Sequence, residues 1–131
     1  KKKITKLIVH CSDTPDNKKI NAIDIHRLHI KFGWDGIGYH KIILRNGIVE
    51  NGRPEYWVGA HVQGMNHESL GVCLIGKKLF TSKQFESLKK ILSDWKRKYP
   101  NAKILGHRDS TKTTKTCPNF DVKNWVLKNN I

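Results

Sequence analysis

An apolar pentapeptide between two glycines constrains the fold of this chain most strongly. Residues 71–75 read Gly-Val-Cys-Leu-Ile, and Gly76 follows directly. A continuous apolar run, as opposed to an alternating one, is typical of an interior strand that is covered on both faces. We therefore predict that residues 71–75 form the central strand of a sheet.

Three segments carry the sequence signals of helices that could cover such a sheet. They span about residues 21–32, 81–99 and 121–128, and they open on Asn21, on Thr81 or Ser82, and on Asp121, which are residue types that cap helices. The first has apolar residues at helical spacing, namely Ile25, Leu28 and Phe32, and the second has a longer stripe, namely Phe85, Leu88, Ile91, Leu92 and Trp95. Both spacings predict helices.

Four further short runs are predicted to be strands. They cover residues 6–10, 39–44, 48–50 and 103–105. The second and third are joined through Asn46-Gly47, and this dipeptide is a strong hairpin signal, so these two strands should pair antiparallel. Because strands and helices alternate with one hairpin inserted, the sequence predicts an α/β fold with a central mixed sheet flanked by helices.

Length and charge narrow the class of protein further. With 131 residues and 37% hydrophobic content, residues 1–131 are expected to form a single domain, and no apolar stretch is long enough to span a membrane. The formal net charge of +14 favours polyanionic partners, either nucleic acid or an anionic bacterial envelope. The basic residues are mostly lysines scattered along the chain, which is more typical of a solvated surface than of a base-reading groove.

Two histidines and one cysteine are candidate metal ligands. His10 and His107 each lie at the end of a predicted strand, where α/β sheets present their sites, and Cys117 lies in the polar loop after His107. Two imidazoles and one thiolate form a three-ligand zinc set that leaves the fourth position open, as in catalytic sites. From spacing alone, the alternative is a pair of polar strand ends and a free thiol. His26 and His29 lack an H-E-x-x-H pattern and are interpreted as structural.

Five short motifs give the chain a specific resemblance. They are Ile8-Val-His-Cys-Ser12, Gly38-Tyr-His40, Gly71-Val-Cys-Leu-Ile-Gly76, Gly106-His-Arg-Asp109 and Lys115-Thr-Cys-Pro118. In this order they resemble the motifs of the zinc-dependent, type 2 N-acetylmuramoyl-L-alanine amidases. That family includes the phage lysozymes with amidase activity and shares its fold with the peptidoglycan recognition proteins. The resemblance runs from about Leu7 to Trp125.

The resemblance implies roles for individual residues. It places one zinc ion per chain on His10, His107 and Cys117, the catalytic tyrosine on Tyr39 and the catalytic lysine on Lys115. It also implies a substrate cleft that includes Ala60, His61, Asn66 and Ser69. Without the family resemblance, Tyr39 would be interpreted as a half-buried strand tyrosine and Lys115 as a solvated lysine. The loop at 109–116 is longer and more basic than the family pattern, which affects the placement of Lys115.

The function that the resemblance implies is hydrolysis of the amide between N-acetylmuramic acid and L-alanine in peptidoglycan, by a monomeric phage endolysin. Such an enzyme is present in the host cytoplasm before lysis and acts on the cell wall; outside a phage context it would be secreted or periplasmic. The alternatives are a non-catalytic peptidoglycan-binding module, or a basic regulator that binds a polymerase or nucleic acid.

Overall fold

The computed structural model describes residues 3–62, 64–110 and 116–131. Within these ranges the strands are β1 (Lys6–Cys11), β2 (Lys41–Ile43), β3 (Val49–Asn51), β4 (Ser69–Leu74) and β5 (Lys103–Gly106). The helices are α1 (Ala22–Lys31), α2 (Ser82–Lys98), the single turn α3 (His107–Ser110) and α4 (Val122–Lys128), and a 3-10 turn covers Asn66–Glu68. No helix in the described ranges is long and apolar enough to cross a lipid bilayer.

The strands form one mixed sheet in the order β3-β2-β4-β1-β5. Strand β4 is the middle strand and all its residues are buried, which confirms the prediction for the apolar run at 71–75. Strands β2, β4, β1 and β5 run parallel, and only the edge strand β3 is antiparallel to its neighbour. The predicted α/β architecture is therefore confirmed.

The hairpin of β2 and β3 forms where the Asn-Gly dipeptide predicts it. Leu44 donates its backbone N–H to the carbonyl of Ile48 at 2.8 Å, and Gly47 has a φ of +88°, which glycine adopts without strain. Strand β2 begins at Lys41, two residues later than predicted. The carbonyls of Tyr39 and His40 still accept backbone N–H groups from the segment after β3, so these two residues extend the sheet without belonging to the regular strand.

One face of the sheet holds the main hydrophobic core. Alternate residues of β1 and β4 point to this face and pack against α2 and α4, since side chains alternate along a strand. The buried residues from these elements include Leu7, Val9, Leu70, Val72, Leu74, Leu88, Leu92, Trp95 and Val122. The apolar stripe predicted for α2 is thus the part of that helix that covers the sheet.

The opposite face is covered by α1, which begins with a capping box between Asn21 and Asp24. Only Ile25 of the predicted stripe is buried, against Ile42 and Ile75. Leu28 and Phe32 are 39% and 59% exposed and take no part in this apolar contact. Both side chains line a cleft instead.

A contact between two loops lies at the edge of the sheet where the parallel strands end. Asp16, in the loop after β1, accepts the backbone N–H groups of Lys77, Lys78 and Leu79 at 2.8, 3.2 and 3.2 Å. These hydrogen bonds, the one from Lys77 above all, lower the pKa of the Asp16 carboxyl. Arg45 adds an ion pair at 3.5 Å. The loops after β1 and β4 are therefore held together next to the candidate site.

Candidate metal centre and its cleft

The three predicted metal ligands lie together at one edge of the sheet. His10 is in β1, His107 is the first residue after β5, and Cys117 lies in the loop that precedes α4. One ligand atom from each residue lies within 4.8 Å of the other two. Parallel pairing of β1 with β5 brings the two histidines to the same edge, and their ring centroids are 4.7 Å apart.

His10 is held firmly in this cluster. It is only 1% exposed, and its ring contacts those of Tyr39 and His61 at centroid distances of 5.1 and 5.0 Å. Nε2 of His10 lies 2.8 Å from Nδ1 of His61, within hydrogen-bond distance. The ring of His10 is therefore fixed by contacts on several sides.

Cys117 is positioned by the strand that carries His10. Cys11 donates its backbone N–H to Sγ of Cys117 at 3.0 Å, a hydrogen bond that favours negative charge on the sulfur. A hydrogen bond between the two thiols lowers the pKa of Cys11 and, together with burial, raises the pKa of Cys117. This sulfur is thus directed into the cluster, although it lies 106 positions from Cys11 in sequence.

Tyr39 lies next to the metal cluster, beside His10 and also near His29, whose ring centroid is 5.6 Å away. Burial raises the pKa of the Tyr39 phenol well above its usual range. A phenol is protonated at neutral pH even at its ordinary pKa of about 10, so this group is available as a hydrogen-bond donor. The other predicted catalytic residue, Lys115, lies outside the described residues.

Of the four residues predicted for the substrate cleft, the polar ones, His61, Asn66 and Ser69, are close together but differ in accessibility. Oδ1 of Asn66 accepts the backbone N–H groups of His61 and Val62, each at 2.8 Å. Ser69 is fully buried, and its hydroxyl donates to the carbonyl of Met65 at 2.8 Å. Of these three, only His61 lines the cleft beside the metal cluster.

The three candidate ligands, which we call the metal cluster, line a cleft of about 540 Å³. Residues that line it include Leu28, Phe32, Trp34, Tyr39, Ala60, His61, Thr116 and Asn119. The wall formed by Leu28, Phe32 and Trp34 was not recognised from the sequence. Its signal was present in the apolar spacing of the first helix, but that spacing indicates a core stripe equally well.

His26 and His29 support the loop that leads to Tyr39. Nδ1 of His26 accepts the backbone N–H of Ile37 at 3.1 Å, and Nδ1 of His29 accepts that of Gly38 at 3.0 Å. Burial lowers the pKa of His29, so its imidazole is neutral at pH 7 and can accept this hydrogen bond. Both histidines thus support the backbone of this loop, and His29 also lines the cleft.

Comparison with known proteins places the chain in a family. Residues 1–120 match the family model described as N-acetylmuramoyl-L-alanine amidase. The endolysin of Enterobacteria phage T3 is 39% identical, over 95% of this chain and 87% of the phage protein. The solved structure of LysCS, an endolysin N-acetylmuramoyl-L-alanine amidase from Clostridium intestinale, is similar with a TM-score of 0.86 at 29% identity, covering 98% of this chain and 84% of that chain. Drosophila PGRP-LB is similar with a TM-score of 0.82 at 26% identity, covering 96% and 81% of the two chains. The chain therefore belongs to the N-acetylmuramoyl-L-alanine amidase family.

Proposed function

We propose that this protein is a zinc-dependent phage endolysin that hydrolyses the amide between N-acetylmuramic acid and L-alanine in peptidoglycan. The observation that carries the proposal is the convergence of His10, His107 and Cys117 on one point in an open cleft. Membership of the amidase family and the 39% identity to a phage endolysin support the same reaction and the same biological setting.

The donor set fits one zinc ion. Zinc binds imidazole nitrogen at about 2.0–2.1 Å and thiolate sulfur at about 2.3 Å, so its tetrahedral ligands lie roughly 3.5 Å apart. Ligand atoms within 4.8 Å of one another can reach this spacing with small side-chain rotations. When bound, zinc with an open fourth position activates water and polarises a carbonyl group.

The chain's own residues then have separate tasks. Tyr39, whose phenol is protonated at neutral pH, would donate a hydrogen bond to the oxygen of the scissile carbonyl as negative charge develops there. Lys115 stands two positions before Cys117 in sequence, and its ammonium would stabilise the same charge. No carboxylate belongs to the metal cluster among the described residues, in contrast to metalloproteases that use a glutamate base.

The shape of the cleft suits a peptide joined to a sugar. Phe32 and Trp34 are 59% and 42% exposed and offer apolar surface beside the metal cluster, where the methyl groups and ring faces of a muramyl peptide could pack. His61, Asn66 and Ser69 remain the residues that the family resemblance proposes for substrate binding. Ser69 is buried and can contribute to such binding only through its neighbours.

The net charge of +14 supports action on an anionic cell wall. Positive charge raises the rate of encounter with carboxylate-bearing stem peptides. Salt weakens this attraction, because charges farther apart than a Debye length of about 8 Å are largely screened at physiological ionic strength. We propose that the protein acts as a monomer, is made in the host cytoplasm and reaches the wall at lysis. Binding to other polyanions would be nonspecific.

The proposal is tested by digesting purified peptidoglycan with the protein, with and without a zinc chelator. We expect new L-alanine amino groups without new reducing sugar ends, and loss of this release on chelation that added zinc restores. New reducing ends would identify a glycosidase instead. Binding to peptidoglycan without any release would identify a non-catalytic recognition module.

A further inference from the structure

A chain of hydrogen bonds leads from the metal cluster into the interior of the sheet. Nε2 of His10 lies 2.8 Å from Nδ1 of His61, and Nε2 of His61 lies 3.2 Å from Oγ of Ser69. Oγ of Ser69 in turn lies 2.8 Å from the carbonyl oxygen of Met65. His61 is not itself a member of the group of candidate ligands, although it contacts one of them.

The direction of these hydrogen bonds follows from the last of them. A carbonyl oxygen can only accept, so the single hydroxyl proton of Ser69 is donated to Met65. Oγ of Ser69 must then accept from Nε2–H of His61, which leaves Nδ1 of His61 with a lone pair. That lone pair accepts Nε2–H of His10. In this arrangement the neutral imidazole of His10 carries its proton on Nε2, and neutral imidazole is the form that binds a metal.

The surrounding structure makes room for the ring of His61 and fixes its backbone. A Cβ atom on Gly71 would lie 2.6 Å from Nδ1 of His61, and one on Gly59 would lie 2.6 Å from its Cδ2. Ordinary side chains at these two positions would displace the ring. Asn66 meanwhile holds the backbone of the same residue through its N–H. The ring is therefore confined between two glycines, with its backbone anchored.

We propose that His61 and Ser69 are positioning residues that hold His10 in the tautomer and orientation needed for metal binding. This inference rests on the proposed zinc site. It gives the predicted substrate residues a different task, since both ring nitrogens of His61 are engaged within the protein and Ser69 is fully buried. Partners that fix a ligating histidine in this way typically change metal affinity or activity by about 10–100-fold.

The test is zinc affinity, measured by competition between the folded protein and a chromogenic chelator. We expect His61→Ala to bind zinc about 10–100-fold more weakly and Ser69→Ala about tenfold more weakly. His61→Asn keeps an acceptor oxygen near the position of Nδ1 and should recover most of the affinity. His67→Ala is the matched control, because His67 is exposed in the neighbouring 3-10 turn, and it should bind zinc like the wild type.

The outcomes separate this inference from the proposed function. If the wild type binds no zinc, the proposed function fails. If the wild type binds zinc and His61→Ala binds it equally well, with a raised KM for peptidoglycan fragments, His61 contacts substrate and the positioning role is wrong. Because the Ser69→Ala variant could fail to fold, the comparison of His61→Ala with His61→Asn decides the question by itself.

Discussion

The two faces of the sheet differ sharply in what they contain. On the face covered by α2 and α4, β1 and β4 contribute apolar side chains such as Leu7, Val9 and Val72. On the other face, neighbouring positions of the same strands contribute His10, Ser69 and Gly71. Both faces are buried, so burial alone does not distinguish the core from the site.

The difference lies in how each face is stabilised. Apolar packing is non-directional, and the α2 face therefore gains stability from total buried area, at roughly 25 cal/mol per Å². The site face depends on directional hydrogen bonds, each with one specific partner, as in the chain from His10 to Met65. Substitutions on the α2 face should consequently lower the free energy of unfolding, whereas substitutions on the site face should lower zinc binding or the rate of hydrolysis.

The largest expected effect is on the site face. Replacing the sulfur of Cys117 in Cys117→Ser should remove zinc and lower the rate of peptidoglycan hydrolysis more than about 10³-fold, because activation of water depends on the metal. Zinc per chain and release of amino groups measure this. Cys11→Ser is the matched control, since Cys11 is not among the candidate ligands, and it should keep one zinc. Full zinc content in Cys117→Ser would exclude that residue from the ligand set.

A smaller loss of activity is expected for Tyr39→Phe. Removal of one preorganised donor to a developing oxyanion lowers kcat by about 10²–10³-fold, while zinc content should be unchanged. Tyr56→Phe, at a position that is 77% exposed, controls for the loss of a phenol elsewhere. An unchanged kcat would show that Tyr39 is a structural tyrosine of the cleft wall.

On the apolar face, Leu92→Ala should lower the free energy of unfolding by about 2–5 kcal/mol and leave the zinc affinity of the folded protein unchanged. Leu92 is fully buried, whereas Leu127 in α4 is 76% exposed, so Leu127→Ala should change stability by less than about 0.5 kcal/mol. Urea denaturation measures both variants. Loss of zinc from folded Leu92→Ala would mean that the two faces are coupled.

The smallest effect is a pH dependence that originates at His29. Its folded pKa lies below the ordinary value of 6.5, so the unfolded chain takes up a proton first as the pH falls. Stability is therefore fully present above pH 6.5 and is lost as the pH falls toward the folded pKa. His29→Asn keeps an acceptor for the N–H of Gly38 and should flatten this dependence in thermal unfolding between pH 7.5 and 5.5, whereas His67→Asn should retain it. A profile unchanged by His29→Asn would assign the effect to another group.

Local patterns predicted most of the fold because their causes are local. The Asn-Gly turn, the capping residues Asn21 and Thr81 and the apolar run of β4 each specify structure through near neighbours in sequence. The first helix was the exception. Its apolar spacing predicts burial, but the sequence does not say whether a sheet or an open cleft lies opposite Leu28 and Phe32.

By itself, the sequence determined the types of secondary structure, the interior position of β4 and, through its family resemblance, the identity of the candidate ligands. Only the tertiary structure decided which groups surround those ligands. His61 is 51 positions from His10, and Cys117 is 106 positions from Cys11. No local preference encodes such distances; they follow from the parallel pairing of β1 with β4 and β5, which brings separate loops to one edge. The hydrogen bonds that orient His10 therefore follow from the order of the strands. The sequence shows the residues that make these hydrogen bonds, but only the fold shows which of them are paired.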